Sequence, residues 1–416
     1  VIYFICKKKG LKQLEKGEAM KYAVLIGDGM ADYPIEKLGN RTILQAARTP
    51  AMDSIAARGK TGLAKTVPDG FPPGSDVANM SILGYDPATY YSGRAPLEAA
   101  SMGVALAADD VAFRCNLITI EHGMIKDYSA GHISSDEAEI LIDTLDYELS
   151  TENIRFYPGI SYRHLIVAGN NLGAETECTP PHDITGEKKD NYLPKGKDGE
   201  FFSDLIEASK VVLELHPVNL KRVEEGKNPA NSIWVWGQGY APKFTAFKEL
   251  YGKKGAIISA VDLLKGIGIY AGLDVIEVHG ATGYLDTNYE GKARAAIEAL
   301  KTRDLVFVHV EAPDEAGHEG SIEKKLKAVE DFDSRIVAPV LKYAEASDEP
   351  FTILVLPDHP TPVSVKTHTR DPIPFAVYRT DMPDPDNVEA FDEESVKNGS
   401  MGLLKASDLI GMLVKS

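Results

Sequence analysis

Three short stretches of this chain fit only one kind of structural position. Lys21–Gly27 (KYAVLIG), Leu305–Val310 (LVFVHV) and Phe351–Leu356 (FTILVL) are dominated by unbroken apolar residues. They are too short to be buried helices, and they lack the alternating polarity of a half-exposed strand. They therefore read as strands covered on both faces. Between and around them, Asp262–Tyr270, Tyr289–Leu300 and Ile322–Tyr343 read as helices, the last as one long one. Strands alternating with helices of this length build a mostly parallel sheet with helices on both faces, so the fold class is α/β, doubly wound. Leu63–Val67, Leu273–Glu277 and Phe375–Tyr378 read as further strands. Thr49–Arg58 (TPAMDSIAAR) reads as a helix with Thr49 as its N-cap and Pro50 in its first position. Asp76–Leu83 reads as a helix stopped by Gly84.

The alternation is interrupted. Residues 89–254 mix strand-like runs (Val111–Ile120, His164–Ala168, Ser232–Trp236) with helices (Ser135–Leu145, Phe202–Leu215) and the loop-rich stretches Glu175–Gly199 and Glu224–Ala230. A chain of 416 residues, at about 100–200 residues per domain, has room for more than one domain. The expected organisation is a split domain, 20–88 plus 255–416, with an inserted domain at 89–254. Residues 1–19 read as an extension outside the fold, either over-called sequence or a disordered arm. Met20 directly precedes the first strand, and Gly17-Glu18 can be encoded by a ribosome-binding-site-like sequence, so Met20 is the expected native start. Val1–Cys6 is apolar but precedes Lys7–Lys9 instead of following a basic segment, which is not the order of a signal peptide.

Composition narrows the partners. Lys and Arg total 45 against 62 Asp and Glu, a formal charge of −17. Such a field disfavours nucleic acid and anionic membrane surfaces, and no apolar run reaches the roughly 18 residues of a membrane span. The three cysteines, at 6, 115 and 178, are odd in number and widely spaced. That usage suits a reducing, cytoplasmic setting and not a disulfide scaffold.

In open α/β sheets the ligand crevice lies outside the carboxyl ends of the strands. Asp28 follows the first buried run. Asp314 and His318, in D-E-A-G-H, follow the second. Asp358 and His359, in D-H-P, follow the third, with His368 nine residues further on. One Asp after a strand is ordinarily a helix cap; three such clusters at corresponding places are not explained by capping. Six mixed oxygen and nitrogen ligands are too many for one tetrahedral zinc and suit two divalent ions, with Mn²⁺ or Zn²⁺ fitting better than Ca²⁺. Two metals about 3.5–4 Å apart form a clamp for phosphoryl displacement. Ser75 ends the loop PDGFPPGS and opens a helix, which makes it either a plain N-cap or a nucleophile activated by a coordinated metal. Gly59-Lys60-Thr61 is not the end of a phosphate-binding P-loop. The first glycine of that pattern falls on Ser54, and the tripeptide precedes a strand instead of following one.

The runs I-G-D-G-M (26–30), P-P-G-S-D-V-A-N (72–79), A-P-D-E-A-G-H (312–318) and D-H-P-T-P (358–362) with His368 resemble the alkaline phosphatase superfamily. More narrowly, the chain is similar to the archaeal-type cofactor-independent phosphoglycerate mutases. The similarity runs from Met20 across nearly the whole chain and includes G-R-A-P-L-E-A-A (93–100) and S-A-V-D-L-L-K-G-I-G (259–268). It implies an alkaline-phosphatase-like sheet with an inserted α/β (α+β) substrate-binding domain. It also implies one metal on Asp28, Ser75, Asp358 and His359, and a second on Asp314, His318 and His368. Mn²⁺ is the expected ion, with Zn²⁺, Co²⁺ and Mg²⁺ open, and no 2,3-bisphosphoglycerate is required.

The reaction implied by this resemblance is the interconversion of 3-phosphoglycerate and 2-phosphoglycerate, a step of glycolysis and gluconeogenesis. Ser75 takes the phosphoryl group and returns it to the other hydroxyl of a retained glycerate, while closure of the insert excludes water. The small phosphorylated three-carbon acid then needs holding groups in the insert. Arg94, Arg114, His132, Arg155, Arg163 and His182 are the candidates, with Arg114 (AFRCN) and Arg163 (SYRHL) favoured by their apolar neighbours. Asp183 is the candidate general base, and Lys265 a contact to the phosphoryl group. Oligomeric state is left open. The rival readings are a metal-dependent phosphomonoesterase, a mutase of another small phosphate ester, and a non-catalytic metal-binding module.

Overall fold

The computed structural model describes residues 20–415, so the expectations for residues 1–19 lie outside the described residues. The chain forms two compact units. One leaves off at Thr89 and resumes at Thr245; the other is Tyr90–Phe244.

The first unit is built on an eight-stranded sheet. Its strands are β1 (Lys21–Gly27), β2 (Lys60–Lys65), β3 (Gly255–Ile258), β4 (Asp274–Val275), β5 (Leu305–Val310), β6 (Phe351–Leu356), β7 (Ile373–Arg379) and β8 (Leu403–Lys405). They lie in the order β4-β3-β5-β1-β6-β7-β2-β8. β7 alone runs against the others, so the expected mostly parallel sheet is what forms. Every residue of β1, β5 and β6 is buried, which is why these central strands carry no polar alternation. On one face Leu25, Val308 and Val355 pack with Ile55, Ala296, Val329 and Val340 from the covering helices. On the other, Phe247 meets Phe307 edge to face, with ring centroids 6.0 Å apart.

Several local expectations need correction. The strand expected at Leu63–Val67 begins earlier, at Lys60, and the one expected at Leu273–Glu277 shrinks to two residues at the sheet edge. Residues 245–254, expected in the insert, belong to the first unit. Phe247 packs on the large sheet, and its N–H donates to Ala271 O at 2.8 Å. The single long helix expected over Ile322–Tyr343 is Ile322–Phe332 and Ala338–Glu345, joined by a widened π turn at Asp333–Val337.

That turn has a partner. Thr49 makes no side-chain cap for the Pro50–Arg58 helix. The Asp333 carboxylate does the work of a cap, accepting the N–H groups of Met52 at 2.7 Å and Ala51 at 3.2 Å. Burial pushes Asp333 up to about 6 against the pull of these two donors. Asp333→Ala is expected to lower stability by about 1–2 kcal/mol, the range for loss of a helix cap, read as a lower denaturation midpoint. An unchanged midpoint refutes the capping role.

The second unit is α+β. Val111–Glu121 is flanked by Arg163–Ala168 and Ser232–Tyr240, with Ile154–Tyr157 beyond Arg163–Ala168 and Met124–Asp127 at its far end, all antiparallel. Helices Ser135–Leu149 and Gly199–Leu213 bury Leu141, Leu145, Phe202 and Ile206 against Phe113, Leu117 and Ile166. The stretch Glu175–Gly199 is not all loop, since Thr176–Glu177 pairs with Lys195–Gly196. Among the described residues no helix is long and apolar enough to cross a membrane.

Candidate active site

Register brings the candidate ligands together. β1 lies between β5 and β6, with Gly27 beside Val310 and Ile26 beside Leu356. Asp28, the Ala312–Glu319 helix and Asp358 therefore leave the sheet at one edge. The approach is close enough to require glycine at 29, where φ is +64°. A Cβ there would lie 2.6 Å from Thr361 Oγ1 and 2.8 Å from Asp314 Oδ1.

The first group surrounds His359. Its Nε2 lies 3.6 Å from Asp28 Oδ1, 3.5 Å from Asp358 Oδ2 and 3.2 Å from Ser75 Oγ. Asp358 is aimed by three N–H donors: Gly29 N (3.1 Å), His359 N (2.8 Å) and Asn79 Nδ2 (2.8 Å). Asn79 also donates to Ser75 O at 2.9 Å, one turn back along the Ser75–Ile82 helix. Ser75 is the first helical residue, not the cap. Gly74 occupies the cap position in extended conformation, which leaves the Ser75 hydroxyl to face His359.

The second group is Asp314, His318 and His368. Asp314 Oδ2 is 3.1 Å from His318 Nε2, and Oδ1 is 3.4 Å from His368 Nε2. The two imidazole Nε2 atoms are 3.0 Å apart. Their Nδ1 atoms face the carbonyls of Lys366 (3.0 Å) and Pro73 (3.4 Å). An imidazole that donates Nδ1–H to a carbonyl presents an Nε2 lone pair, the form a metal requires.

The charges fit cations. Burial and the neighbouring Asp358 and Asp314 carboxylates push Asp28 well above the usual carboxylate range. Burial also works against Asp314, but His318 and His368 hold it well below that range. Burial lowers His318, and Asp314 outweighs it, holding the imidazole up at about 9. Neither oxygen of buried Asp28 receives a backbone N–H; what faces them is the Asp358 carboxylate and His309 Nε2, 3.0 Å from Oδ2. Carboxylates buried against one another are costly, and a divalent cation is the partner this oxygen and imidazole set accepts. The ligand atoms of Asp314, His318 and His368 lie within 4.8 Å of one another. So do those of Asp28, Asp314 and His359, and those of Asp28, His309 and Asp358.

His309, Asn79 and Thr361 join the site beyond the residues that the sequence pattern indicates. The signals were there: a His inside the apolar run LVFVHV, and an Asn four residues after Ser75.

Within the second unit the structure gathers most of the expected substrate-holding residues. The Arg114 guanidinium lies 4.3 Å from the Trp236 ring centroid, and its Nε is 3.0 Å from Glu98 Oε2. Arg94 Nε is 3.5 Å from Glu98 Oε1. Trp236, His182, Tyr128, Tyr162 and His132 follow one another in edge-to-face contacts, and Arg163 lies over Tyr162. Asp183 Oδ1 is 3.7 Å from His182 Nε2. Arg155 does not join this group. It pairs with Asp146 (3.7 Å) and Ser150 (3.3 Å) on the exposed side of its strand. In the first unit, Lys265 is held by Glu277 (3.0 Å) and Asp262 (3.4 Å).

The chain is similar to known proteins along nearly its whole length. The 2,3-bisphosphoglycerate-independent phosphoglycerate mutase family matches residues 56–219. A relative of that name from Methanosarcina mazei is 94% identical over 397 residues, covering 95% of this chain and all of the relative. One from Methanothrix thermoacetophila is 53% identical with the same coverage. A Pyrococcus horikoshii protein structure superposes with a TM-score of 0.80 at 31% identity, covering 96% of this chain and 97% of that one. The cofactor-independent phosphoglycerate mutase of Thermoplasma acidophilum superposes with a TM-score of 0.64 at 29% identity, covering 95% and 99%. The chain belongs to the 2,3-bisphosphoglycerate-independent phosphoglycerate mutases.

Proposed function

We propose that this chain interconverts 3-phosphoglycerate and 2-phosphoglycerate through a phosphorylated Ser75. The observation that carries this reading is the Ser75 hydroxyl, freed from capping and set 3.2 Å from His359 Nε2 at the edge where the buried carboxylates and imidazoles converge. Divalent cations held by Asp28, Ser75, Asp358 and His359, and by Asp314, His318 and His368, would neutralise phosphoryl charge and make the serine hydroxyl a stronger nucleophile. Mn²⁺ is the ion we assign, on the mixed carboxylate and imidazole donors. Ser75 Oγ, having given up its proton, attacks phosphorus as the bond to one glycerate oxygen breaks, and that oxygen takes the proton of the other glycerate hydroxyl. In the return step the second glycerate oxygen, now deprotonated, attacks the phosphoserine, and the bond from phosphorus to Ser75 Oγ breaks, which returns the serine to its starting state.

The insert holds the glycerate between these steps. Arg114, fixed by Glu98 and Trp236, Arg94, also paired with Glu98, and Arg163 on Tyr162 offer the planar forks that bind a carboxylate. His132 and His182 supply contacts to hydroxyls, and Asp183 beside His182 carries the proton between them. Lys265 reaches the phosphoryl oxygens in exchange for Glu277. Unpaired Cys115 and Cys178 are in keeping with a reducing cytoplasm.

The rival is a phosphomonoesterase with the same serine and cations, in which water takes the group. An enolase-coupled assay with 3-phosphoglycerate separates the two. Formation of 2-phosphoglycerate without equivalent phosphate release is expected. Phosphate release without 2-phosphoglycerate overturns the mutase reading.

A further inference from the structure

The two ligand groups come from separate segments of chain, yet a two-ion clamp works only if their spacing is fixed. One buried side chain touches both. Thr361 Oγ1 lies 3.2 Å from His359 Nδ1 and makes a short hydrogen bond to Asp314 Oδ1. A hydroxyl has one proton to give and lone pairs to receive with. Asp314 can only accept, so the Thr361 proton goes to Asp314. The lone pair then receives His359 Nδ1–H. This assignment strips the proton from His359 Nε2, the atom that faces Asp28, Asp358 and Ser75. One hydroxyl thus fixes the tautomer in the first group and the carboxylate orientation in the second.

Thr361 is itself held from behind. Lys325 is fully buried. Its ammonium donates to Thr361 O (2.7 Å), Asp32 Oδ2 (2.8 Å) and Ala31 O (3.1 Å). Asp32 Oδ2 also receives Val363 N at 3.2 Å. The loop after β1, which carries Asp28, is thereby tied to the loop after β6, which carries Asp358 and His359. The packing leaves little slack: a Cβ at Gly317 would lie 2.4 Å from Thr361 O.

We propose that Thr361, seated by Lys325, is a positioning residue that sets the separation and orientation of the two cation-binding groups. The inference rests on the two-cation reading above. It is tested on the full chain, stripped of metal and titrated with Mn²⁺ by calorimetry, with the paramagnetic resonance signal of the loaded protein and the melting temperature of the metal-free protein as companion readouts. Thr361→Val keeps the shape and removes the hydroxyl; Thr361→Ala removes it without any steric demand. Both are expected to weaken Mn²⁺ binding about 10–100-fold, as loss of a group that orients metal ligands does. Both should also alter the signal of the coupled ions; the metal-free variants should stay folded but melt somewhat below wild type, because His359 Nδ1 and Asp314 Oδ1 lose a buried partner. Thr361→Ser is expected to restore affinity and signal. Wild-type affinity and signal in the Val and Ala variants, or a Ser variant as impaired as they are, overturn the role of Thr361 and leave the two-cation reading standing. Wild-type protein that binds fewer than two ions overturns both.

Discussion

Ser75→Ala is expected to lose mutase turnover by at least on the order of 10⁴-fold, the scale seen when a nucleophile is removed from a concerted site. The hydroxyl has no stabilising task that explains its position. It caps no helix, since Gly74 occupies the cap position, and its contact is with His359 Nε2 at 3.2 Å. Alanine is an excellent helix former, so the Ser75–Ile82 helix should persist. Asn79 should still bond the residue 75 carbonyl and Asp358, because both bonds use groups the substitution leaves alone. Cation binding should weaken but survive on Asp28, Asp358 and His359. The check is the enolase-coupled rate together with mass spectrometry of rapidly quenched wild-type enzyme, in which the Ser75 peptide should carry a phosphoryl group. A variant with near-normal rates, or a phosphoryl group trapped on another residue, refutes the phosphoserine route.

Much of this site was legible because parallel topology does the gathering. Once KYAVLIG, LVFVHV and FTILVL are read as neighbouring parallel strands, whatever follows each of them must meet at one edge. Asp28, Asp314 and Asp358 meet there without any long-range contact being known. The same strands are recovered with the expected bounds because continuous apolar runs between turn signals leave no alternative register. What escaped has no local signature. Asp333 caps a helix 281 residues away in sequence, and the geometry that aims it is a π turn inside a run that reads as uninterrupted helix. Lys325 looks like one more helix-surface lysine among Lys324, Lys325 and Lys327, yet it is the one turned inward to Asp32. Arg155 shows the converse: it lies on an outer strand, and alternation carries it to the exposed side, where Asp146 holds it.

Removing the divalent cations is expected to abolish turnover, and adding Mn²⁺ back should restore it. In the cation-free protein Asp28, Asp314 and Asp358 are buried beside one another. The protein relieves this only by taking up protons. Burial with Asp358 and Asp314 drives Asp28 well above its usual range. Asp314 overcomes burial to hold His318 up at about 9. A cation replaces those protons, so loading competes with protonation. The sign follows directly: below about pH 9 His318 must give up a proton to bind, and this group alone makes the affinity fall roughly tenfold for each pH unit of acidification. Asp28 adds in the same direction. The Mn²⁺ concentration for half-maximal activity should therefore rise steeply between about pH 8 and pH 6. Because the ions bind the folded chain, melting should also shift upward with Mn²⁺, by the equivalent of about 2.7 kcal/mol at a hundredfold excess over the dissociation constant. Activity that persists through prolonged dialysis against chelator, or a Mn²⁺ requirement that does not change with pH, would show that these carboxylates and imidazoles are not the groups that hold the ions.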